Sequence, residues 1–385
     1  MKILYVLHTA KPGGAAQSLK VLLSQWRNPD YQIEPLIALP EGQVFDELQQ
    51  AGWPVFVLPA GLEKRPRGIR ATVVGLRKVL LQQRALRQII ERETVDLVHA
   101  NSTSAHLASG SAAQRCKVPE VWHVRDLASL GRWSGFLERR AGAIVAISQT
   151  VAQSLENQHV PRHKIHRIYN ALDVDAWPPQ TRRDADIRNA LQAKESGIVF
   201  GCVGQLVPWK NQAAFIEAAA LLRSLESQAH FKFAVIGSDP WQENSAYRQR
   251  LITQAKTLGL GDELIFFPHQ NDNRAAIAAI DVLVHAAREE PFGRVLIEAM
   301  ALEKTVVAFG AAGASEIISN NKDGLLMPAA SGGAGLAEAM RKVLLSSSLR
   351  ERLGKAARLS VRQRFSAAQS AEQIRELYAS MLGSQ

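Results

Sequence analysis

Short apolar runs rich in β-branched residues alternate with longer stretches of helical period along almost the whole chain. In the first half the runs Ile3 to His8, Gln32 to Ala38, Val55 to Leu58, Leu97 to Ala100, Val121 to Val124 and Ala143 to Ile147 predict strands. Runs that are apolar throughout, rather than at every second position, predict strands covered on both faces, hence a parallel sheet flanked by helices. After Asn170 the pattern lapses into a polar, proline-bearing stretch and then resumes at Val199 to Val203, Lys232 to Ile236, Leu264 to Phe267, Val282 to His285, Thr305 to Ala308 and Leu325 to Met327. The expected architecture is α/β: two doubly wound, Rossmann-like parallel-sheet domains in tandem. The first spans residues 1–170, a linker 171–194, and the second 195–364. The tail from Phe365 predicts a last amphipathic helix.

Composition narrows the class. With 385 residues, 46% of them hydrophobic and 21% charged, the chain can bury two full cores, which excludes a wholly disordered protein. The first ten residues lack the long apolar core and cleavage site of a signal peptide, and no stretch approaches the roughly 20 uninterrupted apolar residues of a membrane span. Two cysteines, Cys116 and Cys202, do not make a disulfide framework, so a reducing cytoplasm is the expected location.

The net charge of +10 is uneven. Residues 1–170 carry 22 Lys and Arg against 13 Asp and Glu, or +9; of the totals 46 and 36 this leaves 24 against 23, or +1. The densest part runs from Lys64 to Arg92, where Val73, Val74, Leu76, Leu80, Leu81, Leu86, Ile89 and Ile90 recur at near-helical spacing. That pattern predicts an amphipathic helix with a cationic face, either solvated or resting on an anionic membrane. Nucleic acid is not expected as a partner, because no aromatic interleaving accompanies the charge.

In open parallel sheets ligands collect at the carboxyl ends of strands. After the first strand, Gly13 and Gly14 open a helix whose backbone amides can meet a phosphate or hydroxyl-rich ligand. After the strand Val282 to His285 comes "AAREEPFGRVLIEAM". There Glu290 lies in a loop, Gly293 lets a ligand approach the backbone, and Arg294 with the helix start forms an anion site. Glu298 lies on the second turn. Two acids on either side of an anion site repel a bare phosphate but suit a ligand with hydroxyls at both ends of a diphosphate, which is the form of a nucleoside diphosphate sugar.

These residues resemble a known family. The Glu-x7-Glu spacing of Glu290 and Glu298, the segment Gly313 to Ile318, "DGLLMP" at 323–328, "DLVHANS" at 96–102, "VAISQTV" at 145–151 and "IYNALDVDAW" at 168–177 are similar to the retaining GT-B glycosyltransferases of family 4 (group 1). The resemblance implies that Glu298 holds the donor ribose and Glu290 faces the donor sugar. It also implies that Phe292, Gly293, Arg294 and Val295 bring their backbone to sugar and diphosphate. In "VGQLVPWKNQ", Gly204 and Gln205 line the donor site and Lys210 neutralises the departing diphosphate. The family often has Arg where Gln205 stands. His123 resembles the active-site histidine, with Asp126 expected to orient or charge it, and Asn170 a positioning residue. The Asp173-x-Asp175 pair falls in the linker, so no metal and no cofactor are expected.

The implied reaction moves a sugar, with retention, from a UDP- or GDP-linked donor to a hydroxyl. A lipid-linked or glycan acceptor at the cytoplasmic face of a membrane fits the basic first half. A small soluble acceptor, a nucleotide-sugar 2-epimerase and a non-catalytic scaffold stay open. Family resemblance also has the last helix, 365–385, packing back on the first domain.

Overall fold

The computed structural model describes residues 1–61, 69–127, 129–179, 185–193, 197–239, 244–268 and 273–383. The chain divides into two compact units: Met1–Ala171 together with Ala367–Gln385, and Leu172–Ser366.

The first unit is a seven-stranded parallel sheet. Its strands are β1 (Lys2–Val6), β2 (Glu34–Leu39), β3 (Val55–Val57), β4 (Leu97–Ala100), β5 (Glu120–Val124), β6 (Ala143–Ala146) and β7 (Ile165–Arg167). They are ordered β3-β2-β1-β4-β5-β6-β7. The period of two along β1 explains its apolar run: Ile3 and Tyr5 enter the core on one face, while Leu4 and Val6 enter the core on the other. Helix Gly14–Gln25 covers the first face together with the final helix Ala367–Gly383, which contributes Ile374, Leu377 and Tyr378. Helices Ile69–Glu93 and Thr103–Cys116 cover the second. β7 escapes the apolar pattern because it is an edge strand, Ile-His-Arg, with two exposed side chains.

Helix Ile69–Glu93 departs from the amphipathic reading. Leu86, Ile89 and Ile90 are buried, but Val73, Val74, Leu76, Leu80 and Leu81 are 43–60% exposed. Val79 of this stretch packs against the core, but the five exposed aliphatic residues share the solvent side with Arg77 and Arg84. Lys64, Arg65 and Arg67 lie outside the described residues.

The second unit holds six parallel strands: β8 (Ile198–Val203), β9 (Phe231–Ile236), β10 (Leu264–Phe267), β11 (Val282–His285), β12 (Thr305–Phe309) and β13 (Leu325–Met327). Their order is β10-β9-β8-β11-β12-β13. The stretch read as a linker is largely built into this unit. Leu172 N donates to Phe365 O at 2.9 Å, Ile187 and Leu191 are buried, and Arg188 reaches Asp281 at 3.0 Å. Its polar sequence hides these anchors because they are single residues, not a periodic run. Among the described residues no helix is long and apolar enough to cross a membrane.

Candidate active site

In both sheets the strand order reverses beside the first strand, between β1 and β4 and between β8 and β11, and an open α/β sheet leaves its ligand crevice at that point. In the second unit the loops after β8 and β11 bring four of the sequence-predicted residues into two clusters. Lys210, in the short helical turn Pro208–Lys210 after β8, pairs with Glu290 in the loop after β11. His285 Nε2 lies 3.2 Å from the same Glu290 oxygen, off hydrogen-bond alignment. Burial pushes the Glu290 carboxyl up, but the Lys210 ammonium and His285 overcome it and hold the carboxyl down at about 2. Lys210 also sits 4.4 Å from the centre of the half-exposed Trp209 ring.

In the second cluster Arg294 Nε donates to Glu298 Oε1 at 2.8 Å, and Asn273 Nδ2 donates to Oε2 at 3.1 Å. Glu298 is thus buried with a donor on each oxygen. Gly293, at φ 103°, is the N-cap of helix Arg294–Ala301 and has no side chain to satisfy the first-turn amides. Phe292 packs its ring edge-on against Phe365, centroids 5.6 Å apart, so the segment meets a ligand through its backbone. Val295 is half-buried, as is Gly204, whereas Gln205 is exposed and accepts Gln212 Nε2 on its carbonyl at 2.8 Å. A Cβ on Gly237 would fall inside the Gly204 carbonyl, so the loops after β8 and β9 touch backbone to backbone. Asp175 of the Asp-x-Asp pair binds Arg362 Nη2 at 2.6 Å.

In the first unit Ser18, His123, Arg125, Tyr169 and Asn170 line one cavity. Arg125 organises it, donating to Asn170 Oδ1 at 2.8 Å, to Asn101 Oδ1 at 2.6 Å and to Asn101 O at 3.1 Å. Asn170 Oδ1 also accepts from Ser18 Oγ at 3.2 Å. The Asp126 expectation is corrected: Asp126 is exposed, and the groups at His123 Nδ1 are His99 Nε2 at 3.0 Å and Arg125 Nη2 at 3.3 Å. Burial, with the Arg125 cation adding to it, pushes His99 down to about 3 and His123 well below the usual imidazole value. Both shifts favour the neutral imidazole. Gly13 and Gly14 open helix Gly14–Gln25 with empty space around them, so nothing steric demands glycine at either.

His99, Arg125, His285 and Asn273 escaped the sequence reading. His99 lies inside the quoted "DLVHANS" segment, where a polar residue in a strand buried on both faces was the available signal, and Arg125 lies two residues after His123, just past β5.

Two doubly wound parallel units in one chain define the GT-B class of α/β proteins. The chain belongs to the group 1, family 4 glycosyltransferases: residues 183–360 match the family described as Glycosyl transferases group 1, and residues 12–176 the Glycosyltransferase Family 4. It is 26% identical over 65% of its length to the lipopolysaccharide core biosynthesis mannosyltransferase LpcC of Rhizobium leguminosarum bv. viciae, covering 68% of that protein. It is 21% identical to the N-acetyl-alpha-D-glucosaminyl L-malate synthase of Bacillus anthracis, with 77% of each chain covered. Its fold matches that of HepE from Anabaena, solved in complex with UDP-glucose, at TM-score 0.81 and 25% identity over 99% of this chain and 100% of that one. The chain is a glycosyltransferase.

Proposed function

We propose that the protein transfers a hexose from a uridine or guanosine diphosphate sugar to a hydroxyl, with retention and without a metal, and that the acceptor is presented at an anionic membrane. The observation that carries this reading is the pair of cation–carboxylate clusters at the β8–β11 switch point. Cleaving the bond from the anomeric carbon to phosphate leaves positive charge on the sugar ring and negative charge on the departing diphosphate. Lys210 has three N–H donors, so it can hold Glu290 and still reach a phosphate oxygen. Glu298, fixed by Arg294 and Asn273, suits the ribose hydroxyls, and Glu290 suits the sugar.

The first test is thermal stabilisation by UDP, GDP and their sugars in EDTA, beside Glu298→Ala. Saturation at 100 times the dissociation constant adds roughly 2.7 kcal/mol. A shift with one base that the variant loses supports the donor site. No shift moves the scaffold reading forward, and turnover that requires added magnesium, or an inverted product, rejects the mechanism. Sugar-nucleotide turnover without an acceptor would mark a 2-epimerase instead.

Support for the membrane comes from helix Ile69–Glu93, whose exposed Val73, Val74, Leu76, Leu80 and Leu81 are interleaved with Arg77 and Arg84. Apolar side chains among cations suit a lipid interface better than plain solvent. Binding to phosphatidylglycerol vesicles should weaken with salt and be lost in Leu76→Glu with Leu80→Glu. Absence of vesicle binding in the wild type would favour a small soluble acceptor.

A further inference from the structure

His285 Nε2 is buried and has no hydrogen-bond partner among the described residues, although a carboxylate oxygen, Glu290 Oε2, lies only 3.2 Å away. A buried donor left unpaired beside an acceptor costs free energy and calls for a reason. The reason is competition. Lys210 Nζ binds the same oxygen, so two donors converge on one acceptor atom and the cation holds it.

The two competitors differ in what can move. His285 closes β11 and pairs with Ala308 of β12, so its backbone is fixed inside the sheet. Lys210 reaches in on a flexible four-carbon stem from the turn Pro208–Lys210. Asn211 Nδ2 donates to Ala286 O at 3.1 Å and ties that turn to the end of β11, which leaves the lysine stem as the mobile part.

Lys210 has donors enough for a carboxylate and a phosphate, but only one positive charge. Once a diphosphate draws that charge away, Glu290 becomes a buried carboxylate with its cation withdrawn. The side chains of Glu290 and His285 are 8% and 4% exposed, so water does not replace the lost partner. The other group that holds this carboxyl in its ionised form is His285. At 3.2 Å its Nε2–H needs alignment, not approach, to bond Oε2.

We propose that His285 is a positioning residue that takes Glu290 Oε2 over from Lys210 when a phosphate of the ligand draws the ammonium away, so that the acid keeps its place while the cation serves the leaving group. No proton is transferred, because the hydrogen that His285 donates is its own Nε2–H. The consequence is selectivity for the phosphate: His285 strengthens binding of a nucleoside diphosphate and adds nothing for the nucleoside alone. The identity of the phosphate rests on the proposed donor site; the competition of two donors for one oxygen does not.

The test is the ring-nitrogen NMR spectrum of protein labelled with 15N-histidine, with the His285 signals identified by their loss in His285→Gln. Lys210→Met should move the Nε2–H signal of His285 to a hydrogen-bonded position without any ligand, and saturating UDP or GDP should move it the same way in the wild type. Identical His285 signals in the wild type and Lys210→Met overturn the proposal, as does a nucleotide complex in which they stay unchanged. Calorimetry supplies a second reading. His285→Leu should weaken UDP or GDP, whichever binds, by about tenfold and leave the affinity for the parent nucleoside unchanged, while His285→Gln, which keeps a donor, should restore most of the loss. Equal losses for nucleotide and nucleoside would make His285 a packing residue and overturn the proposal. If neither UDP nor GDP binds, the proposed function fails while the Lys210→Met spectrum still decides the competition at Glu290.

Discussion

The two units build their sites at the same place in the same kind of sheet and with opposite chemistry. After β8 and β11 the polar groups are ions, Lys210 with Glu290 and Arg294 with Glu298. Around β4 and β5 a buried line of hydrogen-bonding groups, Trp26, Tyr5, Tyr378, His99 and His123, is neutral, made of indole, phenol and imidazole, and Arg125 at its edge is engaged by Asn101 and Asn170. The difference follows from what each has to meet. Under the proposed function the cations of the second unit would meet a departing diphosphate and the neutral dipoles of the first unit a hydroxyl, each held in place before the ligand arrives. A cation–carboxylate cluster is also self-neutralised before the ligand arrives, and the Lys210 cation beside Glu290 favours its ionised form against burial. The neutral line reaches the same end by keeping its titratable groups from ionising.

The largest expected effect breaks the comparison along pH. His99 is held down at about 3 in the folded unit, against an ordinary value of 6.5. The unfolded chain therefore binds protons that the folded one refuses. Stability is complete above pH 6.5 and falls as pH drops toward 3, by about 1.4 kcal/mol per unit and on the order of 5 kcal/mol in total. Hydrogen exchange resolved by peptide, from pH 7 to pH 4, should show the first unit loosening well before the second, and His99→Gln should reduce that slope. Equal slopes in the two units would mean that the histidine line is not the neutral, burial-controlled device described.

Next in size is Lys210→Ala. It removes the cation that holds Glu290 and that, in the proposed function, meets the leaving diphosphate. Turnover should fall by about 2.7 to 4 kcal/mol in barrier height, a hundred- to thousandfold, with a smaller change in KM. Loss of affinity alone, with kcat preserved, would assign Lys210 to binding and not to leaving-group departure.

What the sequence discloses about these sites depends on how far apart the partners lie. Glu290, Arg294 and Glu298 stand within nine residues of one another on a loop and the helix it opens, so their spacing alone points to a ligand with hydroxyls on both sides of an anion. Apart from the edge strand β7, the strands were equally legible, because a sheet covered on both faces writes an unbroken apolar run. His285 and Asn273 were not legible. They reach the same acids from β11 and from another helix, and no local period connects them. The line ending at His123 joins positions from Tyr5 to Tyr378, a juxtaposition that only the fold supplies. Helix Ile69–Glu93 teaches the complementary lesson. Its apolar positions were read correctly as apolar, but periodicity does not say which of them will find a core.

A third prediction sharpens the charged side. Burial alone would raise the Glu290 carboxyl, yet it sits at about 2 against an ordinary 4.5. Its contribution to stability is present above pH 4.5 and is lost as pH falls toward 2, amounting to about 3 kcal/mol. Glu290→Gln should flatten the acid limb of the second unit in that window and leave the first unit's limb, which begins near pH 6.5, where it was. If the limb persists in the variant, another carboxylate of the second unit carries it.

The smallest effect concerns the backbone on which the charged cluster hangs. Gly293 adopts φ 103°, a region that side chains with a Cβ rarely enter, and its ideal Cβ would lie 2.9 Å from Leu296 Cδ1 and 3.5 Å from Glu290 Cγ. Gly293→Ala should therefore cost about 1 to 3 kcal/mol of backbone strain. It should also disturb the loop that carries Glu290, because Leu296, which the Cβ would crowd, is fully buried. Measured by denaturation and by nucleotide affinity together, the variant should lose more affinity than its stability loss accounts for. The neutral line carries no such constraint: its members sit on strands, on the C-terminal helix and at the C-cap of helix Gly14–Gln25, none of them at positive φ. A Gly293→Ala variant with wild-type affinity would show that the second unit, too, fixes its site through side chains and not through the turn beneath them.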